Sequence, residues 1–348
     1  MLKPTLSFVF LIICTFAAQA DPTLTNRFVW LHAGNGVERE VIFGSTRETV
    51  VAWHDNRDDS IAYSGSSFLP KFQSNSIASR PSLQFGYDVS NSSGQNTAAP
   101  TYLQATRSPS LQSLSIFAVC RSKDSLYGPI LSGISGNTTP WSFQFKGTNG
   151  LVWRQGTTIS GTVLTLGSTW NIVEVQKQGS SVKLGSNGLL APPQIFATVP
   201  PAGIATRIGG SATDYLNGNI AELLVYTKAT GSAITPADRV NILKYLGGRY
   251  GISLTNTPPT VRITSPLTGS TVAKGKVPTL KVAASDDGSV VSVKYFVNGK
   301  TTPLAEVKTP PFSYEWKTVT VRSHTVKAIA TDEFGRTKIS ATISFTQL

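Results

Sequence analysis

Apolar and polar residues alternate in short runs along most of the chain, which is the pattern of β-strands with one buried and one polar face. The clearest case is the segment 140–155, where the alternation continues across a glycine-bounded turn at 147–150. The apolar positions of this segment are Trp141, Phe143, Phe145, Leu151 and Trp153. The pattern predicts a hairpin with these side chains in a core, within an all-β fold.

One segment departs from the strand pattern and predicts an amphipathic helix docked on a sheet. Thr235 is placed to cap the amide of Asp238, and Pro236 suits the first helical position. The residues expected on its buried face are Ala237, Val240, Leu243 and Leu246. Glycines at 247, 248 and 251 are expected to end the helix.

A proline-rich linker at 255–258 divides the chain, because Pro258 and Pro259 interrupt regular structure. The residues that follow, 259–348, contain roughly seven strand-like runs, which is the strand count of an immunoglobulin-type sandwich. Alternating Val293, Tyr295 and Val297 lead into an Asn298-Gly299 hairpin turn. Segments 324–330 and 339–345 are interpreted as the last two strands.

The first twenty residues carry the marks of a signal peptide: Lys3, an apolar stretch and an Ala-Gln-Ala ending before Asp21. We therefore predict a secreted mature chain, located outside the cell, in the periplasm or on the cell surface, with domains at 21–254 and 259–348. No later segment has the ~20 apolar residues of a membrane helix. Cys120 would be the only cysteine left, which excludes an intramolecular disulfide.

The mature chain would carry 30 Lys and Arg against 19 Asp and Glu, a net charge of +11. This excess favours contact with polyanions such as acidic glycans. The charges are scattered rather than clustered, so a specific nucleic-acid partner is not expected, and a merely soluble basic surface is the alternative.

Several segments of the first domain resemble the concanavalin A-like or laminin-G-like domains of secreted bacterial proteins. The resemblance rests on Trp30–Val37, Trp53–Asp55, Arg80–Phe85, Ser115–Val119, Trp170–Val175, Asn187-Gly188, Leu216–Tyr226 and Arg249–Ile252. It implies a jelly-roll sandwich over 21–254, followed by one short helix. The region 259–348 resembles a bacterial immunoglobulin-like domain, and such domains serve as spacers or adhesion modules.

Catalytic patterns are not evident, so we predict that the protein is not an enzyme. The sequence lacks a G-x-S-x-G elbow, closely spaced paired carboxylates and an H-E-x-x-H motif. His54, beside Asp55, is the one candidate base. A polysaccharide lyase or hydrolase using it stays open as an alternative.

Oxygen ligands could bind calcium in two places, although we expect no cofactor. One candidate loop carries Asp55, Asp58 and Asp59, and the second domain offers Asp286, Asp287 and Asp332. Turn capping by these aspartates is the competing interpretation.

Sugar recognition requires exposed aromatic rings and polar groups that bind hydroxyls. A polar strand face with Gln144, Lys146 and Arg154 could supply the polar groups. The candidate aromatic residues, predicted in loops, are Trp53, Tyr87, Tyr102 and Tyr127. The alternative is that the aromatics form the sandwich core.

We therefore predict a lectin-like protein for a polysaccharide or glycoconjugate, either neutral or anionic, with an Ig-like spacer. An adhesive surface protein making protein contacts is the alternative, and the oligomeric state is not predicted.

Overall fold

The computed structural model describes residues 27–41, 48–55, 61–64, 69–86, 88–90, 96–98, 101–105, 108–123, 128–147, 150–159, 166, 169–203, 205–317 and 319–348. The chain divides into two compact units, one up to Leu254 and one from Thr255. Over the described residues the protein is all-β with one helix, as the strand periodicity predicted.

The strands of the first unit are β1 Arg27–His32, β2 Val37–Val41, β3 Glu48–His54, β4 Ile61–Ser64, β5 Lys71–Ile77, β6 Arg80–Phe85, β7 Asp88–Ser90, β8 Asn96–Ala98, β9 Leu103–Ala105, β10 Ser113–Ser122, β11 Gly128–Ser135, β12 Thr138–Lys146, β13 Gly150–Gln155, β14 Thr158–Ile159, β15 Asn171–Gln178, β16 Ser181–Ser186, β17 Leu189–Leu190, β18 Gln194–Ile195, β19 Ala205–Ile208 and β20 Gly218–Lys228.

Strand pairing arranges all but two of these strands in two layers, and the exceptions, β7 and β8, pair with each other. Sheet I runs β16-β15-β10-β20, with β17 and β18 pairing with β16. In the same sheet, β1 and β6 pair along different halves of β20, and β5 lies beyond β6. Sheet II runs β14-β13-β12-β11-β19-β9-β4-β3-β2. Sheets I and II are joined where Thr49 of β3 pairs with Lys71 of β5.

A single hydrophobic core lies between sheets I and II, because alternate residues of both point inward. Sheet I contributes Leu114, Ile116 and Val175, among others. Sheet II contributes all five apolar residues of the predicted 140–155 hairpin, each at most 1% exposed: Trp141, Phe143, Phe145, Leu151 and Trp153. Cys120 is a free, buried thiol in this core, and burial raises its pKa.

Helix α1, Pro236–Tyr250, begins at the predicted cap. The Asp238 amide donates to Thr235 Oγ1 (3.1 Å), and the Asp238 carboxylate accepts from the Thr235 amide (3.0 Å). The predicted end was wrong, since the helix continues through Gly247 and Gly248. Gly251, with φ +65°, forms the left-handed C-cap.

The helix is held to sheet I by a buried ion pair rather than by apolar contacts alone. Arg239 donates to both Glu174 oxygens (2.8 and 2.7 Å) and to the Gly188 carbonyl (2.7 Å). The predicted buried position Ala237 is exposed instead, because the helix turns Arg239 toward this carboxylate.

A second buried carboxylate, Glu222 of β20, receives several donors. Trp30 Nε1 (2.6 Å), Tyr245 Oη (3.0 Å) and Tyr250 Oη (2.8 Å) donate to it, and Arg249 Nε lies 3.4 Å away. Burial raises the pKa of Glu222, while Arg249 and the hydrogen bonds act in the opposite direction. The cluster connects α1 to both β1 and β20.

The second unit has its own core between two sheets. Its strands are β21 Thr260–Ser265, β22 Ser270–Val272, β23 Thr279–Ser285, β24 Val290–Val297, β25 Ala305–Val307, β26 Tyr314–Glu315, β27 Arg322–Asp332, β28 Thr337–Ile339 and β29 Ile343–Gln347. One sheet is β21-β23-β26, and the other is β22-β29-β27-β24-β25 with β28 on β27. Core residues include Leu280, Tyr295, Trp316, Val326 and Phe345.

The Asn298-Gly299 turn has positive φ at both residues (51° and 71°), as its hairpin role requires. The predicted strand 339–345 was partly wrong. It is interrupted after Ile339, where the Ser340 hydroxyl accepts from the Ala328 amide (2.9 Å) and replaces regular pairing.

Replacing Arg239 with Met should cost about 3–5 kcal/mol of unfolding free energy, because Glu174 is left buried without its partner. Urea unfolding followed by tryptophan fluorescence measures this cost. The double variant Arg239→Met/Glu174→Leu should recover most of it. As the control, Lys244→Met changes an exposed position of the same helix. An Arg239→Met cost equal to that of the control would refute the anchoring role.

The stability of the first unit should fall between pH 6.5 and pH 3 because of His32. Burial, followed by the charges of Arg249 and Arg80, lowers the pKa of His32 from 6.5 to about 3. In this window the unfolded chain therefore binds a proton that the folded chain does not. The unfolding free energy falls by about 1.4 kcal/mol for each pH unit of acidification. Urea unfolding from pH 7 to pH 4 should show that the unfolding free energy of His32→Asn depends less steeply on pH than that of the unsubstituted chain. Equal dependences would contradict the role given to His32.

Candidate functional site

A row of polar side chains crosses the face of sheet II that points away from the core. Arg154 lies opposite Ser142, Ser142 opposite Ser132, Ser132 opposite Arg207, and Arg207 opposite Gln104. Directly opposed residues point to the same side of a sheet. Their chain neighbours belong to the core: Trp153, Phe143, Leu131, Ile208 and Leu103. We call these five polar residues the polar row.

The loop 209–215, between β19 and β20, folds against this face. Ser132 Oγ donates to the Gly210 carbonyl (2.6 Å), and the Ala212 amide donates to Thr139 Oγ1 (3.0 Å). Within the loop, the Asp214 amide donates to Ser211 Oγ (2.9 Å). These bonds fix the loop beside the polar row.

Charged and aromatic groups surround the row. Asp214 Oδ2 lies 3.8 Å from Arg154 Nη1, and the two side chains are 33% and 31% exposed. The Tyr102 and Tyr215 rings stack at 6.2 Å with an interplanar angle of 15°. The Arg207 guanidinium lies 4.1 Å from the Tyr102 ring centroid. The face therefore combines stacked aromatic rings with fixed hydrogen-bonding groups.

Gln144 lies on the same face as Ser142, two residues further along β12, and is buried, with 1% exposure. Its Oε1 accepts from Ser142 Oγ (2.6 Å). Its Nε2 is buried and has no hydrogen-bond partner among the described residues. An unpaired buried amide is costly for stability, so this donor calls for another explanation.

The structure gathers three of the predicted glycan residues, Tyr102, Gln144 and Arg154, around the polar row. Lys146 is on the same strand face, partly exposed at the end of β12. Trp53 must be corrected: it is fully buried in the core, so its ring is not accessible for stacking on a sugar. Gln144 is also not the open surface residue that was expected. Tyr87 and Tyr127 lie outside the described residues.

Sequence reasoning missed the remaining groups, namely Arg207, Ser132, Gln104, Asp214 and Tyr215. Arg207 lies between Thr206 and Ile208 in a short strand, Ala205–Ile208. So short and mixed a segment does not mark an outward position in the sequence, and only the strand pairing places Arg207 on the face that carries Arg154.

The predicted calcium ligands are occupied by other contacts where they are described. Asp55 Oδ2 accepts from the Trp30 amide (2.7 Å), and Oδ1 lies 3.8 Å from Arg27 Nη2. Asp332 is buried and accepts from Asn256 Nδ2 (2.7 Å), and Asp286 accepts from the Gly288 amide (2.9 Å). Asp287 accepts from the Thr257 hydroxyl. Of these bonds only that of Asp286 is a local turn cap, and those of Asp55, Asp332 and Asp287 join residues far apart in the sequence.

No group of three or more His, Cys, Asp or Glu side chains in the described part of the chain is arranged to hold a metal ion. Asp58 and Asp59 lie outside that part, so calcium binding there stays a prediction.

The one candidate base, His54, pairs with a carboxylate. Its Nε2 lies 2.8 Å from Glu38 Oε1, and both side chains are partly exposed, at 28% and 41%. Among the residues that the structure describes, no hydrogen bond or ion pair joins this pair to the polar row.

A family model described as a bacterial Ig domain matches residues 259–328, which agrees with the predicted second domain. No curated protein matches the chain. Among the described residues, no helix combines the length and the apolar character that crossing a bilayer requires.

Several solved structures are similar at low TM-score. The receptor-binding domain of botulinum neurotoxin type G is 10% identical, with 92% of each chain covered and a TM-score of 0.41. The CBM40 module of the Ruminococcus gnavus IT-sialidase, bound to α2,3-sialyllactose, is 17% identical over 43% of this chain and 91% of that one (0.32). Trypanosoma rangeli sialidase with the inhibitor DANA is 11% identical over 69% of this chain and 36% of that one (0.42).

Replacing Gln144 with Met should change the unfolding free energy by no more than about 1 kcal/mol. Removing an unpaired buried amide relieves about 1–3 kcal/mol, which offsets the lost bond from Ser142. The matched control is Ser132→Ala, which removes a satisfied bond to Gly210 and should cost about 1 kcal/mol. Urea unfolding compares the two variants; a larger cost for Gln144→Met would show that its amide stabilises the fold.

Proposed function

We propose that this chain is an exported, non-catalytic glycan-binding protein in which sheet II carries the binding face and the Ig-like domain acts as a spacer. The observation that carries the proposal is the polar row with its adjoining tyrosine stack. Aromatic rings offer flat apolar surfaces, while the guanidinium groups bind hydroxyls or anions at fixed positions.

The arrangement suits binding better than bond cleavage. The polar row offers hydrogen-bond donors and acceptors, and the one carboxylate that the described part of the chain pairs with it, Asp214, is adjacent to Arg154 rather than to a second carboxylate. Glycoside hydrolysis by acid and base requires two such carboxylates across the scissile bond. We therefore favour a lectin-like role over the lyase or hydrolase alternative.

The purified mature chain should bind saturably to members of a glycan array, tested with and without calcium. Tyr215→Ala should weaken binding, because it removes one ring of the stack with Tyr102. Tyr215→Phe is the matched control, since it keeps the ring, and it should retain most of the affinity.

Two outcomes would contradict the proposal. A blank array in both conditions would exclude glycan binding, and release of products from a polysaccharide panel, abolished by His54→Ala, would show an enzyme instead.

A further inference from the structure

The Arg207 guanidinium is fixed from three directions. Its Nε donates to Gln104 Oε1 (3.0 Å), its Nη1 donates to the Ser211 carbonyl (2.7 Å), and its plane packs on the Tyr102 ring. Arginine has five N–H donors. The two bonds use two of them, and the structure gives no partner for the others within the described chain. The group is thus oriented before any ligand arrives.

Arg154 occupies one end of the row, three strands from Arg207. At about 4.8 Å per strand interval, the two Cα atoms are separated by about 14 Å. The residues between them in register, Ser142 and Ser132, are small and fully buried. Arg154 uses its Nε on the Gly156 carbonyl (2.9 Å), and its separation from Asp214 exceeds hydrogen-bond length. The hydroxyls of these serines are already used, Ser132 on the Gly210 carbonyl and Ser142 on Gln144, so the row offers a ligand chiefly its two cations.

The face has more donors than acceptors. Within the described residues, Gln144 Nε2 is buried without a partner, Arg207 has unused N–H groups, and Asp214 is the only acidic side chain that forms an ion pair with a residue of the row. A neutral sugar hydroxyl both donates and accepts, so it does not require this excess. A carboxylate or sulfate only accepts, and it forms the stronger, charge-assisted bonds with arginine.

Building on the proposed function, we propose that the polar row selects a glycan bearing carboxylate or sulfate groups, with Arg207 as the principal anion contact and Arg154 as the second. Arg207 supplies a forked, preoriented guanidinium, whereas the net charge of the chain contributes only a general attraction.

The test measures binding of the mature chain to three immobilised polymers: polygalacturonate, dextran sulfate and neutral dextran. The chain should bind at least one of the two charged polymers more tightly than it binds neutral dextran. Comparing polygalacturonate with dextran sulfate distinguishes a carboxylate ligand from a sulfate ligand. Arg207→Gln should weaken this binding by about tenfold or more, the loss expected for charge-assisted hydrogen bonds. Arg207→Lys should restore only part of it, because lysine lacks the fork.

The matched control is Lys244→Gln, which removes one positive charge from an exposed position of α1, the helix packed on sheet I. It should leave binding nearly unchanged, and circular dichroism should confirm that each variant is folded. Equal losses for Lys244→Gln and Arg207→Gln would show a general charge effect and overturn the inference.

Tight binding to neutral dextran that is insensitive to Arg207→Gln would also overturn it, while leaving the proposed glycan-binding function intact. If no polymer binds and the glycan array is blank as well, the proposed function itself fails.

Discussion

Alternation of side chains across two stacked sheets is the constraint on which the first unit depends. Alternate residues of β10, β12 and β13, together with Ile220, Leu223 and Val225 of β20, enter one shared core, and the only described cysteine is a free thiol within it. Burial therefore provides the cohesion that disulfides give to many exported domains. Because the core uses only the inner face of each sheet, residues on the two outer faces are not needed to fill it.

On sheet I the outer face is closed by α1, and its two buried carboxylates are paired. Glu174 receives a forked contact from Arg239, and Glu222 receives two tyrosines, an indole and a nearby arginine. A buried carboxylate is tolerable only with such partners. The cap residues Thr235 and Asp238 define where the helix begins, and these carboxylates define which side of it faces the sheet.

Sequence alone predicted what depends on neighbouring residues. The core hairpin at 140–155, the Thr235 cap and the Asn298-Gly299 turn all follow from local spacing, and the structure agrees. Contacts between residues far apart in the sequence could not be predicted from it. Arg207 pairs with Ser132, which is 75 residues away, and Arg239 binds Glu174, which is 65 residues away. Trp53 was misjudged for the same reason, because a tryptophan beside histidine and aspartate has the local character of a loop residue. Only the packing of β3 against the rest of the core buries it.

The two outer faces differ in a way that stability does not explain. On sheet I the buried carboxylates are matched by donors. On sheet II a buried glutamine amide has no partner among the described residues, and an arginine is oriented with N–H groups to spare. Selection for a stable sandwich would replace that glutamine with an apolar side chain of similar volume, since an unmatched buried donor weakens the folded state. Donors retained at such a cost, beside stacked tyrosines and a fixed loop, are what the proposed binding face would require before its ligand is present.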